Sequence, residues 1–208
     1  MKIFFKSQFL WNSIKIAILL VLLSPQVIMA QSIYKLTPNK NAKVIVNGKS
    51  NVHDWEMTST GIESQGVFKF NSKDELIGLS VFNFTVLAKS LKSGKSSMDS
   101  RTYKSIKADE FPKISYKLTY AEVTMVQANK YSIQTTGLLT IAGKTQSISM
   151  KVMALVNADQ SISCHGAEKL MLTDYGIEPP SFMLGAMKVG NDLIIKFDLS
   201  YAKPNYTK

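Results

Sequence analysis

The sequence predicts an all-β fold, a sheet of eight to ten mostly antiparallel strands with one short helix. Three observations predict it. Apolar residues recur at every second position over most of the chain, Gly and Asn/Asp residues punctuate those runs, and a single stretch has helical spacing. With 208 residues, 45% of them hydrophobic and 19% charged, the chain can bury a core, which excludes disorder as its main state.

The N-terminal segment reads as a targeting signal rather than as part of the fold. Lys2, Lys6 and Lys15 precede the unbroken apolar run IAILLVLL at residues 16–23, and Ser24, Pro25 and Gln26 break it ahead of Val27-Ile28-Met29-Ala30. Charged region, apolar region and small residue in that order define a secretory signal, with cleavage expected after Ala30. A membrane span needs roughly 20 apolar residues, and this run has eight. Residues 1–30 are therefore expected to be a Sec-type signal peptide and residues 31–208 a periplasmic or secreted bacterial domain. No cysteine follows the run to carry a lipid.

Beyond the signal, Val44 and Val46 alternate with Lys43 and Asn47, and Phe82, Phe84 and Val86 alternate with Asn83 and Thr85. Residues 97–108 (SMDSRTYKSIKA) break the pattern, since Met98, Tyr103 and Ile106 have helical spacing. A short helix is predicted there, with Ser97 or Asp99 near its N-cap and an end before Phe111-Pro112. Alternation then resumes through Ile114, Tyr116 and Leu118, through Ile148, Met150, Val152 and Ala154, and through Leu193, Ile195, Phe197 and Leu199. Asn47-Gly48-Lys49, Lys73-Asp74-Glu75, Asn157-Ala158-Asp159 and Gly190-Asn191-Asp192 read as hairpin turns. A sheet of this size hides its edges in a sandwich or a closed barrel, and an eight-stranded barrel has room inside for side chains or one small ligand. Strand pattern alone does not choose between them.

Composition narrows the chemistry. One cysteine rules out an internal disulfide, and a thiol or His-based metal site has only Cys164, His53 and His165 to draw on. Removing Lys2, Lys6 and Lys15 with the signal lowers the formal charge from +10 to +7. Arg101 is the sole arginine, so bidentate reading of nucleic acid is not expected. Gly48-Lys49-Ser50, Gly94-Lys95-Ser96 and Gly143-Lys144-Thr145 imitate a phosphate loop, but the glycine required five places earlier is Lys43, Lys89 or Leu138. All three read as turns. Cys164 and His165 are strand neighbours and point to opposite faces. In His53-Asp54-Trp55-Glu56, His53 and Trp55 share one face while Asp54 and Glu56 share the other. An enzymatic alternative, a metal-dependent or acid/base hydrolase, would use His53, Asp54 and Glu56.

Four segments in order resemble the YceI-like family of exported bacterial lipid-binding proteins: residues 48–55 (GKSNVHDW), Met98-Asp99 through residues 107–116 (KADEFPKISY), residues 137–145 (GLLTIAGKT) and residues 172–177 (LTDYGI). The resemblance covers residues 33–200. It implies a lipocalin-like antiparallel β-barrel of about eight strands whose lumen holds an isoprenoid lipid, such as a polyprenyl chain or quinone tail, without catalysis. The chain departs from the commonest family form at Ala142-Gly143, where His-Gly is frequent.

A ligand held by burial suits an interior with few titratable groups. At ~0.8 kcal/mol per buried CH₂, a five-carbon prenyl unit contributes roughly 3 to 4 kcal/mol against an association cost of about 4 to 15 kcal/mol, so a chain of two or more units is favoured. The lumen candidates are the apolar faces Phe82, Phe84, Ile114, Tyr116, Leu118, Ile148, Met150, Val152, Ile195 and Phe197, joined by Trp55, Phe68 and Phe70. Arg101 is the candidate for an acidic headgroup at the barrel mouth. No cofactor or metal is expected. The expected partner is an isoprenoid or other long-chain amphiphile, with no nucleic acid, no stable transmembrane span after signal removal, and a homodimer as the possible assembly. A non-catalytic surface module with a filled barrel is the remaining alternative.

Overall fold

The computed structural model describes residues 30–37 and 42–204. The expected signal lies outside them except for Ala30, which opens the first strand. The strands among the described residues are β1 (Ala30–Leu36), β2 (Lys43–Ser50), β3 (Asp54–Ser59), β4 (Ile62–Phe70), β5 (Leu76–Leu87), β6 (Lys113–Gln127), β7 (Lys130–Ile141), β8 (Lys144–Val156), β9 (Ile162–Met171), β10 (Ser181–Phe182) and β11 (Met187–Ala202). Helix α1 (Ser96–Ser105) lies between β5 and β6.

Eight strands form an antiparallel ring in the order β1-β4-β5-β6-β7-β8-β9-β11, and β11 closes it onto β1 through Lys35 opposite Ala202 and Leu36 opposite Tyr201. The same edge of β11 then pairs with β2 from Asp198 back to Val189, and β3 extends that hairpin. Closure settles the choice that alternation left open. The fold is a lipocalin-like barrel with one short helix.

Two of the expected turns lie inside strands. Gly48 sits within β2, directly opposite Trp55 of β3, and a Cβ at Gly48 would collide with the Trp55 indole. Here glycine makes room for a ring, and the chain reverses later, at Asn51-Val52-His53, where the Ser50 hydroxyl accepts from the amides of Val52 and His53. Gly190-Asn191-Asp192 forms an irregularity within β11, where the register to β2 shifts between Val189 and Leu193. The other two are turns as expected, with Asp74 at φ 59° and the 157–161 loop closed by Asn157.

The helix spans residues 96–105 rather than 97–108, and its N-cap is Lys95. Asp99 instead lies buried in the first turn, accepting from the amide and hydroxyl of Ser93 at 2.8 and 2.7 Å, which hold its carboxyl below the usual range. Lys107 enters the left-handed region at φ 52°, and the amides of Lys107 and Ala108 bond back to Lys104 and Tyr103. That is a Schellman termination, which stops the helix early. Gly94 and Gly143 occupy positive-φ positions in loops, as expected of turns.

The two ends of the barrel differ. One is plugged by Tyr34, Phe68, Phe70, Tyr131, Ile162 and Tyr201, all buried. Rings meet edge-on there, Tyr34 with Phe68 at 5.2 Å and Phe82 with Tyr201 at 5.7 Å, and the Tyr201 hydroxyl reaches Ser64 at 3.0 Å. At the other end α1 packs across β3, with the Thr102 hydroxyl against Met57 Sδ, while the Tyr103 hydroxyl donates to the Leu91 carbonyl at 2.7 Å. Replacing Phe68 by Ala in the plug is expected to cost about 3–5 kcal/mol of unfolding free energy in urea titrations, against under about 0.5 kcal/mol for Ala at exposed Tyr120.

Candidate functional site

Because inward residues alternate on every strand, the unplugged part of the barrel is an apolar bore. It comprises an outer chamber of about 380 Å³ beneath α1 and an inner chamber of about 120 Å³ toward the plug. Val44, Phe84, Leu139, Leu170 and Ile195 line both, so the chambers adjoin end to end. The outer volume alone falls within the range of small-molecule sites.

Most of the expected lumen residues face this bore. Trp55 and Ile114 line the outer chamber, Phe84 and Ile195 both, and Phe68, Phe82, Tyr116, Ile148, Met150, Val152 and Phe197 the inner one. Phe70 is buried in the plug cluster and Leu118 packs against that cluster, so neither lines a chamber. Arg101 projects from α1 at the mouth, its guanidinium 4.4 Å from the Phe182 ring centroid. Lys95 and His53 also line the mouth, and among the described residues no acidic one does. The alternation also missed Leu139 and Leu170. Each stands beside another large apolar residue, exposed Leu138 and exposed Met171, so the inward face was not readable from spacing.

Large rings line so open a bore because glycine faces them. Phe82 lies opposite Gly66 and Phe197 opposite Gly166 across paired strands, just as Trp55 lies opposite Gly48. Tyr116 is paired with Leu139, but its ring reaches diagonally over Gly137 two residues along β7. A Cβ at Gly166 would come within 2.5 Å of Phe197 Cζ. The rings therefore lie flat against the wall instead of standing into the lumen.

Polar groups are few. The Tyr175 hydroxyl is buried with no hydrogen-bond partner among the described residues, and burial, reinforced by the charges of Asp174 and Glu168, pushes its pKa up to about 12. Tyr175 sits in a 3-10 turn (Leu172–Tyr175) that Gly176 ends at φ 67° and that the Gln146 amide holds by donating to the Asp174 carbonyl. Its position in the LTDYGI segment was the available signal. Glu168, on the inward face of β9, has its carboxyl raised by burial. Asp54 and Glu56 face outward, where Glu56 accepts from Asn47, and His53 Nδ1 lies 2.8 Å from the Asp54 carbonyl. Among the described residues no group of three His, Cys, Asp or Glu side chains is placed to hold a metal. Cys164 is buried and His165 exposed on the opposite face, and burial pushes the thiol up to about 12.

An eight-stranded ring around an apolar bore, plugged at one end, defines the lipocalin-like class of small-ligand barrels. The chain belongs to the YceI-like domain family, whose model matches residues 34–201. Similar solved structures include BcnA of Burkholderia cenocepacia, with 18% identity, a TM-score of 0.61, and coverage of 76% of this chain and 95% of that one. A polyisoprenoid binding domain from Saccharophagus degradans, implicated in plant cell wall breakdown, has 11% identity, a TM-score of 0.60, and coverage of 82% and 98%. The YCEI protein of Campylobacter jejuni has 16% identity, a TM-score of 0.54, and coverage of 76% and 86%. No curated protein matches the chain.

Two measurements test this geometry. At about pH 8 the Cys164 thiol is neutral and enclosed, so a thiol reagent should label the native protein far more slowly than the unfolded one. Gly166→Ala should push the Phe197 ring into the inner chamber, costing about 1–3 kcal/mol of stability and narrowing the bore seen in a crystal structure.

Proposed function

We propose that this protein is an exported, non-catalytic carrier that holds an isoprenoid or similar amphiphile, of polyprenyl or quinone type, for sequestration or transport. The observation that carries this reading is the tapering bore, wide beneath α1 and narrow toward the plug. A flexible apolar chain fits such a shape with its tail in the inner chamber and its polar end near the mouth. There Arg101 would meet an acidic headgroup, and the Tyr175 hydroxyl would donate to a carbonyl or hydroxyl of the ligand. The signal-like N-terminus supports export, and the polyisoprenoid-binding description of one structural neighbour supports the ligand class.

Burial supplies the affinity. Each prenyl unit adds roughly 3 to 4 kcal/mol, and the scarcity of lumen charges removes most of the cost of desolvating polar groups. Organic extraction of the purified protein followed by mass spectrometry should yield a prenyl lipid, or the emptied protein should take up added prenyl compounds. An extract without lipid, combined with no uptake, overturns the proposal. Ile195→Trp fills the junction of the chambers and should weaken binding of long prenyl chains about tenfold or more while sparing short ones.

A further inference from the structure

The mouth of the bore carries an apolar projection that the lumen does not use. Between β10 and β11 the chain turns through Met183, Leu184 and Gly185, all at positive φ, at 54°, 56° and 91°. Turns of this kind ordinarily take Asn, Asp or Gly, and bulky apolar side chains there are uncommon. Leu184 is 110% exposed relative to its reference and Met183 73%, the two most exposed large hydrophobic residues among those described. Neither lines a chamber, so their exposure is not explained by the cavity.

The projection is fixed to a second apolar tip. The Asn51 side chain donates to the Ala186 carbonyl at 2.9 Å and accepts from the Lys188 amide at 2.8 Å, while its own amide bonds to the Lys188 carbonyl at 3.1 Å. This ties the β2–β3 turn, where Val52 is 59% exposed, to the base of the β10–β11 hairpin. Exposed basic residues surround both tips: Lys49 and Lys188 on the two joined strands, and Lys95 and Arg101 at the mouth. The exposed acids on adjoining segments, Asp54, Glu56, Glu178 and Asp192, equal these four cations in number, but among the described residues none of them lines the mouth, where Lys95 and Arg101 do, and buried Asp99 is engaged by Ser93.

Apolar tips within a basic rim, around the entrance to an apolar bore, fit a negatively charged lipid surface. We propose that Val52, Met183 and Leu184 insert into an anionic bilayer, with Lys49, Lys95, Arg101 and Lys188 against its headgroups, so that the mouth opens onto the membrane. The apolar side chains supply the insertion and the cations its preference for anionic lipid. The inference rests on the lipid-carrier reading for its purpose, but its physical claim is separately measurable.

Flotation with vesicles of phosphatidylcholine containing phosphatidylglycerol, and with vesicles of phosphatidylcholine alone, tests it. The wild-type protein should float with the anionic vesicles and less well at high salt. The double variant Met183→Ser/Leu184→Ser should bind about tenfold more weakly or worse, and Lys49→Gln/Lys188→Gln should lose mainly the anionic preference. Circular dichroism should be unchanged in both, because all four side chains are exposed. Uptake of a prenyl alcohol from detergent micelles, measured on the same proteins, separates the two readings. Uptake without flotation overturns docking alone, and flotation without uptake supports docking while removing the carrier reading. Flotation of the serine variant at the wild-type level overturns docking, as does a dimer in sedimentation velocity that the serine substitutions dissolve.

Discussion

The barrel depends on the contact between an inward ring and an inward glycine on the neighbouring strand. A small antiparallel barrel normally fills its own interior, and four large aromatic side chains standing upright would do so here. Gly48, Gly66, Gly137 and Gly166 remove the Cβ atoms that would hold Trp55, Phe82, Tyr116 and Phe197 off the sheet. Each ring lies along the wall, covers the exposed backbone of its glycine, and leaves the axis open. Glycine weakens a strand by its conformational entropy. The aromatic contact offsets that weakness where it occurs.

The same contact explains where sequence reading succeeds and where it fails. Period-two alternation identifies the inward face of β5, β6, β8 and β11 because each has polar residues between its apolar ones, and most lumen residues follow from that face alone. It does not reveal depth along the strand. Phe68 and Phe70 share a face of β4, yet one lines the inner chamber and the other packs only in the plug. Gly48 looks like turn punctuation because glycine in a turn and glycine beneath a ring have the same letter. Only the pairing of β2 with β3, which sets Trp55 opposite, tells them apart. Tyr175 lies in an irregular segment with no period to read, so its approach to the bore is a tertiary property.

The lumen is chemically quiet for a structural reason. Inward positions on paired strands have their backbone groups committed to the ladder, so the wall offers side chains and little else. Those side chains are mostly hydrocarbon, and burial shifts Cys164, Glu168 and Tyr175 toward their neutral forms. Such a surface would discriminate among guests of the proposed kind by length and girth, with polar selection at the rim, where Arg101 and Lys95 are exposed.

The aromatic plug has a consequence for traffic. Among the described residues Tyr34, Phe68 and Tyr201 stop the bore at one end, so a guest of the proposed kind would enter and leave at the α1 end, and the part that went in last would come out first. A vessel of this shape has no intrinsic direction. For a carrier of the proposed kind, net movement between a donor and an acceptor would be set by their chemical potentials, and the protein would govern only how quickly the exchange equilibrates.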